Sequence, residues 1–321
     1  MKRILVLGAG GYLGSHLCRY LRSQGHFIIG CDRETSKTAW PDVTDERIVG
    51  DIQKPEIVRR LWETEPDVLI NLISLDHFLS ERNVGETCSI NVLPTWTILQ
   101  DAKGRRLEKL IYFSTIQVFG AISPALTGEE IPKKPANLYG LSHFISEEIV
   151  KYYDQKIGFP CLTLRLSNGY GEPVFKDTNC WWLVVNDLVK TAFSERKIEL
   201  KSDGSPQRDF LHVRDICRAV EFLVMKNKED LDHHVFHLAS GITHTILEIA
   251  CVVRSVYENR YRRKLPVFVQ GVDRTEAVSA VSSSPKFTID IGRLKKLGFL
   301  PSVDLRAGVT GLFEYLEKQS S

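Results

Sequence analysis

The chain reads as an α/β protein, a doubly wound parallel sheet followed by a smaller α/β lobe. Three observations predict this. Short apolar runs alternate with helical patterns from residue 4 to about residue 166, the rhythm of βαβ units. The runs are apolar at nearly every position, as in strands covered on both faces. The first run ends in a glycine-rich turn, Gly8-Ala9-Gly10-Gly11-Tyr12-Leu13-Gly14, that opens a helical pattern.

Taken in order, Ile4–Leu7 predicts the first strand, Tyr12–Ser23 the first helix and Phe27–Gly30 the second strand, which runs into Cys31 and Asp32. Further strands are expected at Arg47–Val49, Val68–Leu72, Leu110–Phe113 and Leu162–Leu166, with helices at Pro55–Glu63, Val84–Ala102 and Leu141–Tyr153. Past residue 167 the rhythm changes. A loop with Gly169, Gly171 and Pro173 leads to helical patterns at Trp181–Phe193, Asp215–Met225 and Val303–Lys318. The expected division is a nucleotide-binding domain, 1–167, and a mainly substrate-binding lobe, 168–321, some of whose segments return to the first domain.

With 321 residues the chain exceeds the usual size of a single core, which agrees with two lobes. A net charge of +2 gives nucleic-acid binding no electrostatic support, while an anionic small ligand needs only a few local arginines. Seven cysteines, an odd number with no CxxC, suggest neither a disulfide framework nor a cysteine zinc site. A reduced, cytoplasmic setting is expected. The apolar start, Ile4–Leu7, is too short for a signal peptide or membrane span. His233, His234 and His237 have no carboxylate or cysteine at ligand spacing, so no metal is expected. No GxSxG elbow marks a serine hydrolase.

The glycine turn carries the chemistry. Gly8 permits a tight turn, Gly11 lets backbone approach a pyrophosphate, and Gly14 allows close packing of helix on strand, as in Rossmann-type dinucleotide binding. Tyr12 and Leu13 open the helix, whose unpaired N–H groups favour phosphate. Asp32, ending the second strand, suits the adenosine ribose hydroxyls and would repel a 2′-phosphate, so NAD is favoured over NADP; Arg33 beside it tempers that preference. Asp51 and Ile52 are placed to meet the adenine, though Asp51 equally suits a cap before the Pro55 helix. Leu72, closing the fourth strand, is counted with the cofactor residues.

These features resemble the extended short-chain dehydrogenase/reductase family, the NAD-dependent sugar-nucleotide epimerases, dehydratases and reductases. Gly8, Gly11 and Gly14 match its GxxGxxG. Ser114-Thr115-Ile116-Gln117-Val118-Phe119-Gly120 resembles S[ST]xxVYG, Leu164-Arg165-Leu166-Ser167-Asn168-Gly169-Tyr170-Gly171 resembles LRxxNVYG, and Arg208-Asp209-Phe210-Leu211-His212-Val213-Arg214-Asp215 resembles RDFxHVxD. Leu297-Gly298-Phe299 and Pro301 resemble LGWxP.

The resemblance implies a catalytic Thr115, which orients the substrate oxygen, and Tyr139, which exchanges its proton. The family's YxxxK is broken, because His143 stands where lysine is expected. At i, i+4 on one helix His143 shares a face with Tyr139 and is expected to reach the nicotinamide ribose. A tyrosine near pKa 10 must fall by about three units, roughly 4 kcal/mol, to act as a base near neutrality. A neutral imidazole gives only a hydrogen bond, while an imidazolium could replace the charge; a slower oxidation or a more alkaline optimum is expected. Ile116 and Gln117 occupy positions where 4,6-dehydratases carry an Asp-Glu pair, so dehydratase chemistry is not expected.

By the same resemblance Asn168, Arg208 and Arg274 contact the diphosphate of a nucleotide-diphosphate sugar. Trp181 and Trp182 suit either lobe core or stacking on the ligand, with core favoured. Three readings remain: a dehydrogenase or ketosugar reductase acting at C4 or a neighbouring carbon, a 4-epimerase with tightly held NAD, and a non-catalytic dinucleotide-binding protein. The resemblance also implies a homodimer through the helices near Val84–Ala102 and Leu141–Tyr153, and a setting such as polysaccharide biosynthesis.

Overall fold

A computed structural model describes residues 1–33, 40–122, 126–275 and 285–320. Chain order begins β1 (Arg3–Leu7), α1 (Tyr12–Ser23), β2 (Phe27–Asp32), β3 (Glu46–Val49), α2 (Pro55–Glu63), β4 (Val68–Asn71), α3 (His77–Ser80), α4 (Val84–Thr87), α5 (Leu93–Ala102), β5 (Lys109–Thr115), β6 (Leu126–Thr127), α6 (Leu138–Asp154) and β7 (Cys161–Leu166). It continues β8 (Asn168–Tyr170), α7 (Val184–Glu195), β9 (Ile198–Leu200), β10 (Gln207–His212), α8 (Val213–Met225), β11 (Val235–Leu238) and β12 (Thr243–Thr245). Last come α9 (Ile246–Tyr261), β13 (Val267–Val269), β14 (Val272–Asp273), β15 (Thr288–Ile289), α10 (Gly292–Leu297) and α11 (Leu305–Ser320).

Seven strands form one parallel sheet in the order β11-β7-β5-β4-β1-β2-β3. Both its faces are covered. Ile4, Val6, Ile70, Ile111 and Leu164 face one core with α1 and α8, while Leu5, Leu7, Leu69 and Leu110 face the other with α2 and α5. This is the Rossmann-type fold, and the two cores are why the strands read as unbroken apolar runs. Strand order reverses between β1 and β4, so the crevice at their carboxyl ends is the ligand position of such sheets. The tip of β1 leads into Gly8, that of β4 into Leu72, and β5 ends at Thr115.

The chain comes back to this sheet after residue 168: β11 pairs with β7, His237 opposite Arg165. Lys109 at the start of β5 donates its ammonium to the carbonyls of Leu223 and Lys226, each at 2.6 Å, satisfying open carbonyls at the end of α8. The rest of the lobe packs α7, α9 and α11 around Val189, Val253 and Leu312, beside the three-stranded sheets β12-β10-β8 and β14-β13-β9.

Two elements differ from the sequence expectation. Val84–Ala102 is not one helix but α4, a wide π turn over Cys88–Val92, and α5. Pro94 lies in the first turn of α5 and supplies no N–H to the turn before it, which favours the break. Helix α6 starts at Leu138 because Asn137 caps it, its side-chain oxygen accepting from Gly140 N at 2.7 Å.

Candidate active site

The crevice at the strand tips is built from glycines that admit no side chain. A Cβ on Gly14 would lie 1.9 Å from the Gly8 carbonyl oxygen, and Gly8 itself has φ +83° with the Leu72 backbone 3.4 Å from its missing Cβ. Helix α1 begins after Gly11 with no side-chain cap, so its first amides stay open to phosphate. Asp32 reaches over this turn. One carboxylate oxygen accepts from Gly10 N and the other from Arg33 N, both at 2.7 Å. Burial raises its pKa and these bonds oppose the rise. A glycine cradle with an acid at its rim fits the diphosphate and ribose of a dinucleotide.

Other expected cofactor residues are spread around this rim. Leu72 N donates to Leu7 O at 3.1 Å. Asp51 turns on itself, accepting from Gln53 N at 2.9 Å, and does not cap α2, whose cap residue is Lys54; Ile52 next to it is buried. The side chain of Leu13 packs into the core. The Tyr12 hydroxyl donates to Gly171 O at 2.9 Å, and His16 meets Glu172 O at 2.7 Å, so α1 holds the loop after β8.

At the tip of β5 lies the second cluster. Thr115 is buried, its hydroxyl oxygen accepting from Gln117 N at 3.2 Å, and it lies close enough to Tyr139 to lower the phenol's pKa. Burial pushes the Tyr139 phenol up to about 12; the neighbouring Thr115 hydroxyl works against this and the charge of Asp76 adds to it. His143 lies one turn on along α6, its ring edge-on to Tyr139 with centroids 4.6 Å apart. Its Nδ1 is 2.8 Å from the Tyr112 hydroxyl and its Nε2 is 3.1 Å from Ser74 Oγ. Ser74 Oγ donates its proton to Leu75 O at 2.7 Å, so it accepts from Nε2–H, and the Tyr112 hydroxyl donates to Nδ1. Burial brings His143 down to about 4. The imidazole is therefore uncharged at neutral pH, and both ring nitrogens are engaged within the protein. The ribose contact expected from the i, i+4 spacing would have to replace one of these internal partners.

On the lobe side Asn168 and Arg208 occupy adjacent strands, since Asn168 pairs with Phe210 two residues after Arg208. Asn168 donates its amide to Asp209 O at 2.8 Å. Arg208 is exposed and, among the described residues, its side chain donates only to its neighbour's carbonyl, Gln207 O at 2.9 Å. It does not pair with Asp209, whose buried carboxylate binds Ser240 and Ile242. Arg274 is exposed just after β14, its N–H donating to Val267 O. Among the described residues no group of three or more His, Cys, Asp or Glu is gathered to hold a metal, and no helix is long and apolar enough to cross a membrane.

Residues 4–239 match the model of the NAD dependent epimerase/dehydratase family. The chain belongs to that family. NAD is its cofactor, in keeping with the cradle above. Within the family, the chain is 24% identical over 326 residues to the dTDP-D-glucose 4,6-dehydratase of Bos taurus, covering 98% of this chain and 88% of that one. Among solved structures, the UDP-glucose 4-epimerase of Thermotoga maritima with UDP-glucose superposes with a TM-score of 0.82 at 21% identity, covering 99% of this chain and 100% of that one. The dTDP-glucose 4,6-dehydratase of Bacillus anthracis in complex with NAD gives a TM-score of 0.78 at 22% identity, covering 99% and 97%.

These relatives correct one expectation. The bovine, human and mouse proteins are all named dTDP-D-glucose 4,6-dehydratases, so Ile116 and Gln117 do not exclude dehydratase chemistry. The physical reason is that proton transfer depends on where an ionisable group sits, not on its place in the chain. Asp76, ahead of α3, is close enough to raise the Tyr139 phenol, and reading two positions on one loop overlooked it. Ser74 and Tyr112 were overlooked as well. Tyr112 lies inside an apolar strand run, where only its hydroxyl sets it apart.

Proposed function

We propose that the chain is an NAD(H)-dependent enzyme of a nucleotide-diphosphate sugar, with hydride transfer at C4 or a neighbouring carbon. The carrying observation is the Thr115–Tyr139 pair at the tip of β5, in the same row of strand ends as the Gly8–Gly14 cradle. Bound NAD supplies the hydride acceptor. Tyr139 holds or releases the proton of the sugar hydroxyl, Thr115 fixes the direction of that exchange, and Asp32 and the open amides of α1 hold the dinucleotide. Asn168 and Arg208 face the diphosphate, for which guanidinium geometry is suited. The resulting 4-ketosugar is a stage shared by epimerases and dehydratases, the activities named for relatives of this chain.

The test is to denature the purified protein, identify the released nucleotide, and incubate intact enzyme with UDP-glucose and dTDP-glucose deuterated at C4. Label kept at C4 with inversion marks an epimerase, label moved to C6 a dehydratase, and label passed into reduced cofactor a dehydrogenase. Failure to bind any dinucleotide, co-purified or added, or turnover unaltered in Tyr139→Phe, would overturn the proposal. We also propose a homodimer through α5 and α6, supported by exposed Leu93, Trp96, Leu141 and Ile145 on those helices.

A further inference from the structure

Helix α3 stands beside the catalytic phenol. The Glu81 carboxylate that ends it accepts from Leu138 N at 2.6 Å, so the helix is tied to the residue just before Tyr139. Its first two residues, His77 and Phe78, meet the opposite lobe. The Trp182 ring lies 5.4 Å from His77 and 6.1 Å from Phe78, tilted against the first and edge-on to the second. Trp182 comes from the segment leading into α7, and its indole N–H donates to Asn179 O at 3.2 Å, which fixes the ring's direction. Its neighbour Trp181 behaves differently, packing on Tyr315 and into the lobe core.

Phe78 is 60% exposed and Trp182 40%. Two large aromatic rings, one from each lobe, meet on α3, the helix tied to the start of α6, and still show much of their surface to solvent. Neither lobe's core accounts for them. We propose that Phe78 and Trp182 form an aromatic clasp whose exposed surfaces bear on the apolar face of the sugar ring of the nucleotide sugar, so that they select at the sugar end of the substrate. This rests on the substrate class proposed above. The C–H face of a pyranose matches the negative face of an aromatic ring, and such rings lose little rotamer freedom on contact. The nucleobase is the competing occupant, but the clasp flanks the phenol that acts on the sugar, which favours the sugar.

The test is isothermal titration of NAD-loaded enzyme with UDP-glucose and dTDP-glucose, and with UDP and dTDP alone. Trp182→Ala and Phe78→Ala should each weaken the sugar nucleotides about tenfold and leave the bare nucleotides within twofold. Trp182→Phe should keep most of the affinity, which separates loss of a ring from loss of fold. Equal weakening of UDP-glucose and UDP would assign the rings to the base and overturn the proposal, as would unchanged affinity in both alanine variants. Failure of the wild-type protein to bind either sugar nucleotide would overturn the proposed substrate class and the clasp with it. Binding by the wild type with no response to the variants sinks the clasp alone.

Discussion

Replacing His143 by lysine should move the pH dependence of the reaction downward. In the wild type the nearest ring to Tyr139 along α6 is an uncharged imidazole, and the phenol stands at about 12. An ammonium in that place, about 5 Å away, interacts with phenolate by ~3 kcal/mol at an effective dielectric of about 20. That is about two pKa units, enough to draw Tyr139 back towards the ordinary tyrosine range. The rising limb of oxidation rate against pH, measured with UDP-glucose or dTDP-glucose at saturating NAD, should shift about two units to lower pH. His143→Gln, which stays neutral, should leave the limb where it is. Both variants strip the Tyr112 hydroxyl of its partner and should lose about 1–3 kcal/mol of stability, so thermal unfolding is followed in parallel. The phenol can also be read without turnover, from the ring-carbon shift of labelled tyrosine assigned through Tyr139→Phe. Superimposable profiles for wild type and His143→Lys would refute the electrostatic reasoning.

Two further outcomes follow from the geometry. Gly14→Ala places a Cβ 1.9 Å from the Gly8 carbonyl oxygen; backbone must move, so NAD binding should be lost with a stability drop of about 3 kcal/mol, and an unchanged melting temperature would contradict the close approach. Trp96→Glu puts charge on the exposed face of α5, and sedimentation should then report a monomer; a wild type that already sediments as a monomer would remove the proposed interface.

The large sheet was legible because its physics is local and repetitive. Strands buried on both faces must be apolar throughout, and Leu5 and Val6, fully buried in opposite cores, satisfy that with adjacent residues. The Gly8–Gly14 spacing and Asp32 were legible for a related reason: a close backbone approach leaves glycine no substitute. The break before α5 was not, since a π turn has no composition of its own and Pro94 is equally at home in the first turn of a helix. Trp182 and Phe78 lie 104 residues apart. Nothing in either segment announces the other, and only the folded lobes bring the rings to 6.1 Å.

The histidine at residue 143 reads as a single change in the sequence, but in the structure it works with two further side chains. A histidine in the YxxxK position invites the idea that imidazolium stands in for ammonium. The surroundings refuse that charge: Ser74 uses the Nε2–H, and Tyr112 gives its hydroxyl proton to Nδ1. Burial disfavours the imidazolium, which holds the ring down to about 4. Ser74, Tyr112 and His143 thus act together as a neutral support behind Tyr139. Restoring a cation to this site therefore requires more than protonation, and lowering the pH of the wild-type enzyme to about 5 should not reproduce the His143→Lys profile.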